Sequence, residues 1–144
     1  MKIYVGYNAS CNSSHKSDEE YGEWSADYSS NIEHVISKKP RTSSIIYEEF
    51  EVACEIGEDV HVLSCEYSEG NSFGCSTGNF EILQVFTNLE DAEEVRKYLD
   101  FHQGTSLRRH SVITKSGNTY TICIPYAGYF ESLENLSINS FVVE

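Results

Sequence analysis

The stretch Tyr67-Ser68-Glu69-Gly70-Asn71-Ser72-Phe73-Gly74-Cys75-Ser76-Thr77-Gly78-Asn79 concentrates three glycines, two asparagines and several hydroxyls between two strand-like runs. Glycine and asparagine reach backbone angles that other residues avoid, so such a loop can turn several amide N–H groups toward one anion. The bland alternative is a wide hairpin that binds nothing. It has no Gly-Lys-Ser or Gly-Lys-Thr of a P-loop and no dinucleotide fingerprint. Charge for a bound phosphate would come from Arg108, Arg109 and His110, and stacking platforms for a base from Trp24, Tyr126 and Tyr129. The competing readings are a solvated basic loop and a Trp24 folded back into the core. The candidate binding set is therefore Trp24, Tyr67, Ser68, Gly70, Asn71, Ser72, Phe73, Gly74, Arg108, Arg109, His110, Tyr126 and Tyr129.

Catalysis finds less support in the residue types. His15, His34, His61, His102 and His110 are each isolated in sequence, and the chain holds no G-x-S-x-G, no H-E-x-x-H and no cysteine in a recognisable helix-start context. We expect no catalytic residues. Cys11, Cys54, Cys65, Cys75 and Cys123 are odd in number and lack C-x-x-C spacing, which argues for reduced thiols and against a zinc ribbon. Cys11 with His15 offers two metal ligands without evident others, so no metal and no cofactor are expected. Cys54 and Cys123 sit in strand-like stretches and read as small buried hydrophobes.

The elements that must position these residues follow from periodicity. Ile3, Val5 and Tyr7 alternate as a first strand, and the polar stretch from about 8 to 30 reads as a long loop. Ile32 to Ser37, Phe50 to Cys54 and Val60 to Cys65 read as strands, with Ile56-Gly57-Glu58-Asp59 as a hairpin connection between the last two. Ile82 to Phe86 is a buried strand. Thr87 stands three residues before Glu90, the capping-box spacing, and Leu89, Ala92, Val95 and Leu99 form one apolar stripe, so a helix is expected over about 88–102. Asn118 to Ile124 and Leu133 to Val143 alternate again, with Ser116-Gly117-Asn118 as a turn. The expected fold is α+β: a largely antiparallel sheet with one main amphipathic helix packed on it, in one domain over 1–144.

Charge limits the partners. Ten Lys and Arg stand against 23 Asp and Glu, a formal net charge of −13, which repels phosphate backbones and anionic membrane surfaces. Direct nucleic-acid binding is not expected. No Lys or Arg lies between Arg41 and Arg96, a span that includes Glu48, Glu49, Glu51, Glu58, Glu66 and Glu81. Either these acids solvate exposed faces or they build an acidic face for a basic partner. No run of about 18 apolar residues exists, so no membrane span is expected. Exposed sheet edges invite pairing into a homodimer.

Three segments resemble a family of small bacteriophage-encoded proteins. Tyr67-Ser68-Glu69-Gly70-Asn71-Ser72-Phe73-Gly74 is similar to its Y-S-x-G-D-S-F-G signature, Ile124-Pro125-Tyr126-Ala127-Gly128-Tyr129-Phe130-Glu131 to its P-W-x-G-Y-F-E segment, and Glu20-Tyr21-Gly22-Glu23-Trp24-Ser25 to its G-E-W-S element. Asn71 replaces an Asp and Tyr126 a Trp. The resemblance implies a phage origin and the cytoplasm of the infected bacterial host. In that setting the expectation is a counter-defence protein that sequesters a nucleotide-type signal or occludes a host defence protein. The alternative is an acidic nucleic-acid mimic that blocks a basic host DNA- or RNA-binding protein.

Overall fold

Alternation at the start of the chain builds the strand around which one sheet forms. The computed structural model describes residues 1–15, 24–70, 76–102, 109–124 and 132–144. In β1 (Lys2–His15), Ile3 and Val5 are fully buried while Tyr4 lies on the opposite face, the period of two that a half-buried strand requires. This strand is central in an antiparallel sheet of order β2-β1-β3, flanked by β2 (Trp24–Ile36) and β3 (Ile46–Glu51). A second antiparallel sheet has the order β5-β4-β8, from β4 (Asp59–Gly70), β5 (Ser76–Phe86) and β8 (Ser132–Val142). A hairpin of β6 (Arg109–Ile113) and β7 (Thr119–Cys123) stands apart from both.

The layers follow from the two faces of β4. Val60 and Val62 join Ile82, Val85 and Val143 against Ile3, Val5, Val35, Val52 and Cys54, so the two sheets pack face to face. On the other face Leu63 and Cys65 join Leu83 and Phe86 against the helix α1 (Leu89–Phe101) and the β6/β7 hairpin, through Ala92, Val95, Leu99, Val112 and Ile122. The β5-β4-β8 sheet is thus the middle layer, buried on both sides. At one end the sheets are tied by a parallel bridge, Val35↔Val143, with Glu144 donating its N–H to the Val35 carbonyl at 3.0 Å. The α+β class read from the sequence is the one observed, with a single helix among the described residues.

Several boundaries move. The stretch expected as a loop over about 8–30 is largely ladder: β1 and β2 stay paired from Tyr4↔Ile36 to His15↔Trp24. Strand hydrogen bonds belong to the backbone, so a paired ladder can run through Ser, Asn and Asp that composition assigns to loops. The third strand lies at Ile46–Glu51 rather than Phe50–Cys54, and it pairs with β1, not with β4. Ile56-Gly57-Glu58-Asp59 therefore joins two sheets, held by the Gly57 N–H on the Val143 carbonyl at 2.8 Å and the Val143 N–H on the Glu58 carbonyl at 2.9 Å. The helix caps itself with Asn88 instead of Thr87: the Asn88 side chain accepts the Glu90 N–H at 2.9 Å. Leu89 is exposed, leaving Ala92, Val95 and Leu99 as the packed stripe. Cys54 is buried as expected, whereas Cys123, last in β7, is exposed. Strand β6 carries little sequence signal, being five residues long and opening on Arg109-His110. The turn at Ser116-Gly117-Asn118 is present, and Gly117 holds a φ of +89° that side chains with a Cβ resist.

Candidate binding surface

Of the residues singled out in sequence, those that are described fall at the far ends of two strand ladders and on β6. Trp24 opens β2 opposite His15. Tyr67, Ser68 and Gly70 end β4, paired with Asn79, Gly78 and Ser76 of β5. The glycine-rich stretch is therefore mostly paired strand, with only positions 71–75 between the two arms. Asn71, Ser72, Phe73 and Gly74 lie outside the described residues, as do Arg108, Tyr126 and Tyr129. Arg109 and His110 do not share a face. Consecutive strand residues point to opposite faces, so Arg109 is exposed while His110 is 4% exposed and sits with Val112 on the buried side.

The acidic span acquires a definite geometry at β3. Glu49 is exposed, accepts the Tyr4 hydroxyl at 3.3 Å and pairs with Lys2 at 3.8 Å, contacts that are worth little on an open surface. Glu48 differs, because it lies opposite Val5 and shares the core-facing side of the sheet. Burial, reinforced by the Glu81 carboxylate, pushes the Glu48 pKa up to about 7. Burial also raises that of Glu81. On the other face of the same sheet, His34 and Tyr47 stack at 5.6 Å across Gly6 and share a 2.8 Å hydrogen bond. A Cβ on Gly6 would come within 2.7 Å of the Tyr47 ring and 3.0 Å of the His34 ring, so glycine is what lets the two rings close over the strand.

Two polar features had no sequence signal. Asp91 is 1% exposed in the first turn of α1, and its carboxylate accepts the Ser116 hydroxyl at 2.8 and 2.9 Å, the Asn118 amide at 3.1 Å and the Tyr120 hydroxyl at 2.8 Å. Burial pushes the carboxyl up, but hydrogen bonds from Ser116, Asn118, Tyr120 and Thr114 outweigh it and hold the pKa below the usual range. Burial and the same carboxylate raise the Tyr120 phenol to about 12. The donors lie at least 25 positions away, at the β6/β7 turn and in β7, so no local motif could have announced them. The second feature is an open groove of about 970 Å³ along the outer side of α1, lined among the described residues by Glu90, Glu93, Glu94, Arg96, Lys97, Asp100, Lys115 and Leu136. Its charges alternate in sign, which suits no simple anion.

Among the described residues, no helix is long and apolar enough to cross a membrane, and no group of three or more His, Cys, Asp or Glu is arranged around a metal position. The fold and these surfaces define an acidic α+β domain of two packed sheets with a helix and a hairpin on the outer face of one. Compared with known proteins, the chain matches no family model, no curated protein and no solved structure.

Proposed function

We propose that the protein is a binding protein of the bacteriophage counter-defence kind, which holds a nucleotide-type signal or covers a host defence protein in the cytoplasm of the infected cell. The observation that carries this reading is the course of the two long ladders. Tyr7 of β1 and Phe80 of β5 meet at 5.3 Å, and the Val35↔Val143 bridge also joins the two sheets. From these contacts the two ladders run on, one to His15↔Trp24 and the other to Gly70↔Ser76. The described parts of two of the three segments, Trp24-Ser25 and 67–70, thus lie at the far ends of paired ladders. Rigid sheets that carry loops at their ends are a common way to build a recognition surface.

The test is Gly70→Val combined with Gly74→Val, in a protein whose melting temperature is measured first. The variant is expected to stay folded and to lose phage protection on a host that carries the relevant defence, read as plating efficiency. Undiminished plating by a folded variant would show that the segment is architecture.

A second reading, nucleic-acid mimicry, is favoured by β3 itself, an edge strand bearing Glu48, Glu49 and Glu51 with no basic residue between Arg41 and Arg96. Reversing all three to Lys is then expected to slow association with a basic partner and to flatten its salt dependence. Because Glu48 titrates near neutrality, association should also quicken as pH rises through about 7. Stopped-flow mixing at two ionic strengths and three pH values separates this mechanism from ligand capture, which those changes should leave alone.

A further inference from the structure

Two sheets of three strands leave four edges, β2, β3, β5 and β8, and the last of these is used by neither reading. Edges that stay single are commonly defended by charge, proline or a bulge. Strand β3 carries Glu48, Glu49 and Glu51, β2 carries Asp27 and Glu33, and β5 carries Glu81. The register shifts at Glu33 and Leu83 bulge β2 and β5 as well. In β8 the register shift lies near the start, between Ser64↔Ser137 and Glu66↔Glu134. Beyond it Ser137-Ile138-Asn139-Ser140-Phe141-Val142 is regular, uncharged and free of proline.

The end of the strand shows which way its backbone groups point. Val143 donates its N–H to the Glu58 carbonyl and accepts the Gly57 N–H, so both its groups face the β4 side. Glu144 faces the other way, donating to the Val35 carbonyl at 3.0 Å and accepting the Ser37 N–H at 2.9 Å. Alternation then turns the N–H and C=O groups of Val142, Ser140 and Ile138 outward, on the side of Glu144. Among the described residues, none of these outward groups has a backbone partner. Ser140 and Val142 are exposed, Val142 at 52%.

We propose that two copies of this chain join edge to edge through β8, antiparallel about a twofold axis at Ser140, in one continuous six-stranded sheet. Ser140 then faces Ser140 of the second copy and Ile138 faces Val142 of the second copy, each pair exchanging two backbone hydrogen bonds. Ile138 lies at the edge of the core cluster beneath α1, so Val142 of the second copy gains an apolar neighbour on that face. Asn139 stands opposite Phe141 of the second copy, and no charge meets a charge. The window is closed at both ends, by the bulge before Ser137 and by β2, which already occupies the edge at Glu144. Charge selects the occupant. A basic partner, which a net charge of −13 attracts, finds no acid on this run, whereas a second copy, which that charge repels, can approach closely along an uncharged one. In the order β2-β1-β3 it is β2 that meets β8, so the glutamates of β3 sit on the far edge of the other sheet.

Sedimentation equilibrium of the full chain is expected to show twice the chain mass at high protein concentration, with association strengthened as salt screens the charge of each copy. Ser140→Lys, at an exposed position whose outward backbone leaves the β4 ladder intact, is expected to stay folded by circular dichroism and to sediment as a monomer, because it sets two ammonium groups opposite each other. Ser140→Cys is expected to cross-link to itself under mild oxidation, since hydrogen-bonded cross-strand Cα atoms about 5.5 Å apart lie within disulfide reach. The wild type, with Cys123 exposed, is the control. Amide exchange of the wild type needs no variant: Ile138, Ser140 and Val142 are expected to exchange more slowly as protein concentration rises. A monomer at every concentration, a dimer equally stable in Ser140→Lys, a Ser140→Cys chain that cross-links no more than wild type, or exchange at the three amides that ignores concentration would each overturn the proposal.

Discussion

Replacing Asp91 by Ala is expected to cost about 2–4 kcal/mol of stability, because each buried donor left without an acceptor carries about 1–3 kcal/mol of desolvation that water entering the gap only partly recovers. The loss is large because one carboxylate holds three side chains from outside its own helix, Ser116, Asn118 and Tyr120. It joins the first turn of α1 to the far end of the β6/β7 hairpin, where Thr114 and Gly117 close the turn with bonds of 2.9 Å. The sign of the pH dependence follows from the lowered pKa. A carboxyl whose folded value lies below its unfolded value of about 3.9 contributes fully above that value and loses its contribution as pH falls through the folded one. Urea unfolding of wild type and Asp91→Asn should therefore differ most near neutrality and converge only at pH below about 4. A constant gap down to pH 2 would mean that shape, not charge, is what the position supplies.

Asp91 also marks where reading the sequence stops. Its neighbours Ala92, Val95 and Leu99 declare themselves through helical spacing, and all three are buried in the structure. The helix and the general antiparallel character were legible because they depend on periodicities of 3.6 and 2 within a short window. Strand partners were not, since pairing is a long-range choice: nothing within Phe50 to Cys65 says that β3 joins β1 while β4 joins β5 and β8. The polar arms of β1 and β2 were missed for a related reason. Backbone ladders satisfy their own hydrogen bonds, and the residues that signal a loop by composition do not forbid a strand once a partner is present.

The candidate site divides along the same line. Arg109 and His110 are neighbours in sequence but not in space. In a strand, adjacency separates side chains, and β6 sends Arg109 outward and His110 into the layer beneath α1. What sequence reading could not supply is the meeting of His110 with Tyr98 and His102, three residues from two elements that touch only after the helix has docked.

Docking itself can be measured through Leu99. Its side chain is fully buried among Leu63, Cys65, Leu83, Phe86, Val112 and Ile122, so the helix, the middle sheet and the hairpin share one cluster at this point. Truncation to Ala removes the attractive contacts of the missing atoms and leaves a cavity that the flanking strands cannot easily close, since β4 is packed on both faces. The expected cost is about 2–5 kcal/mol, the range for Leu→Ala in a well-packed core. Leu89→Ala, on the same helix but exposed at 44%, provides the control and should change stability by no more than about 0.5 kcal/mol. Chemical unfolding of the two variants side by side tests whether the stripe or the whole helix surface holds α1 in place. Equal effects would mean that the helix is not anchored through Leu99.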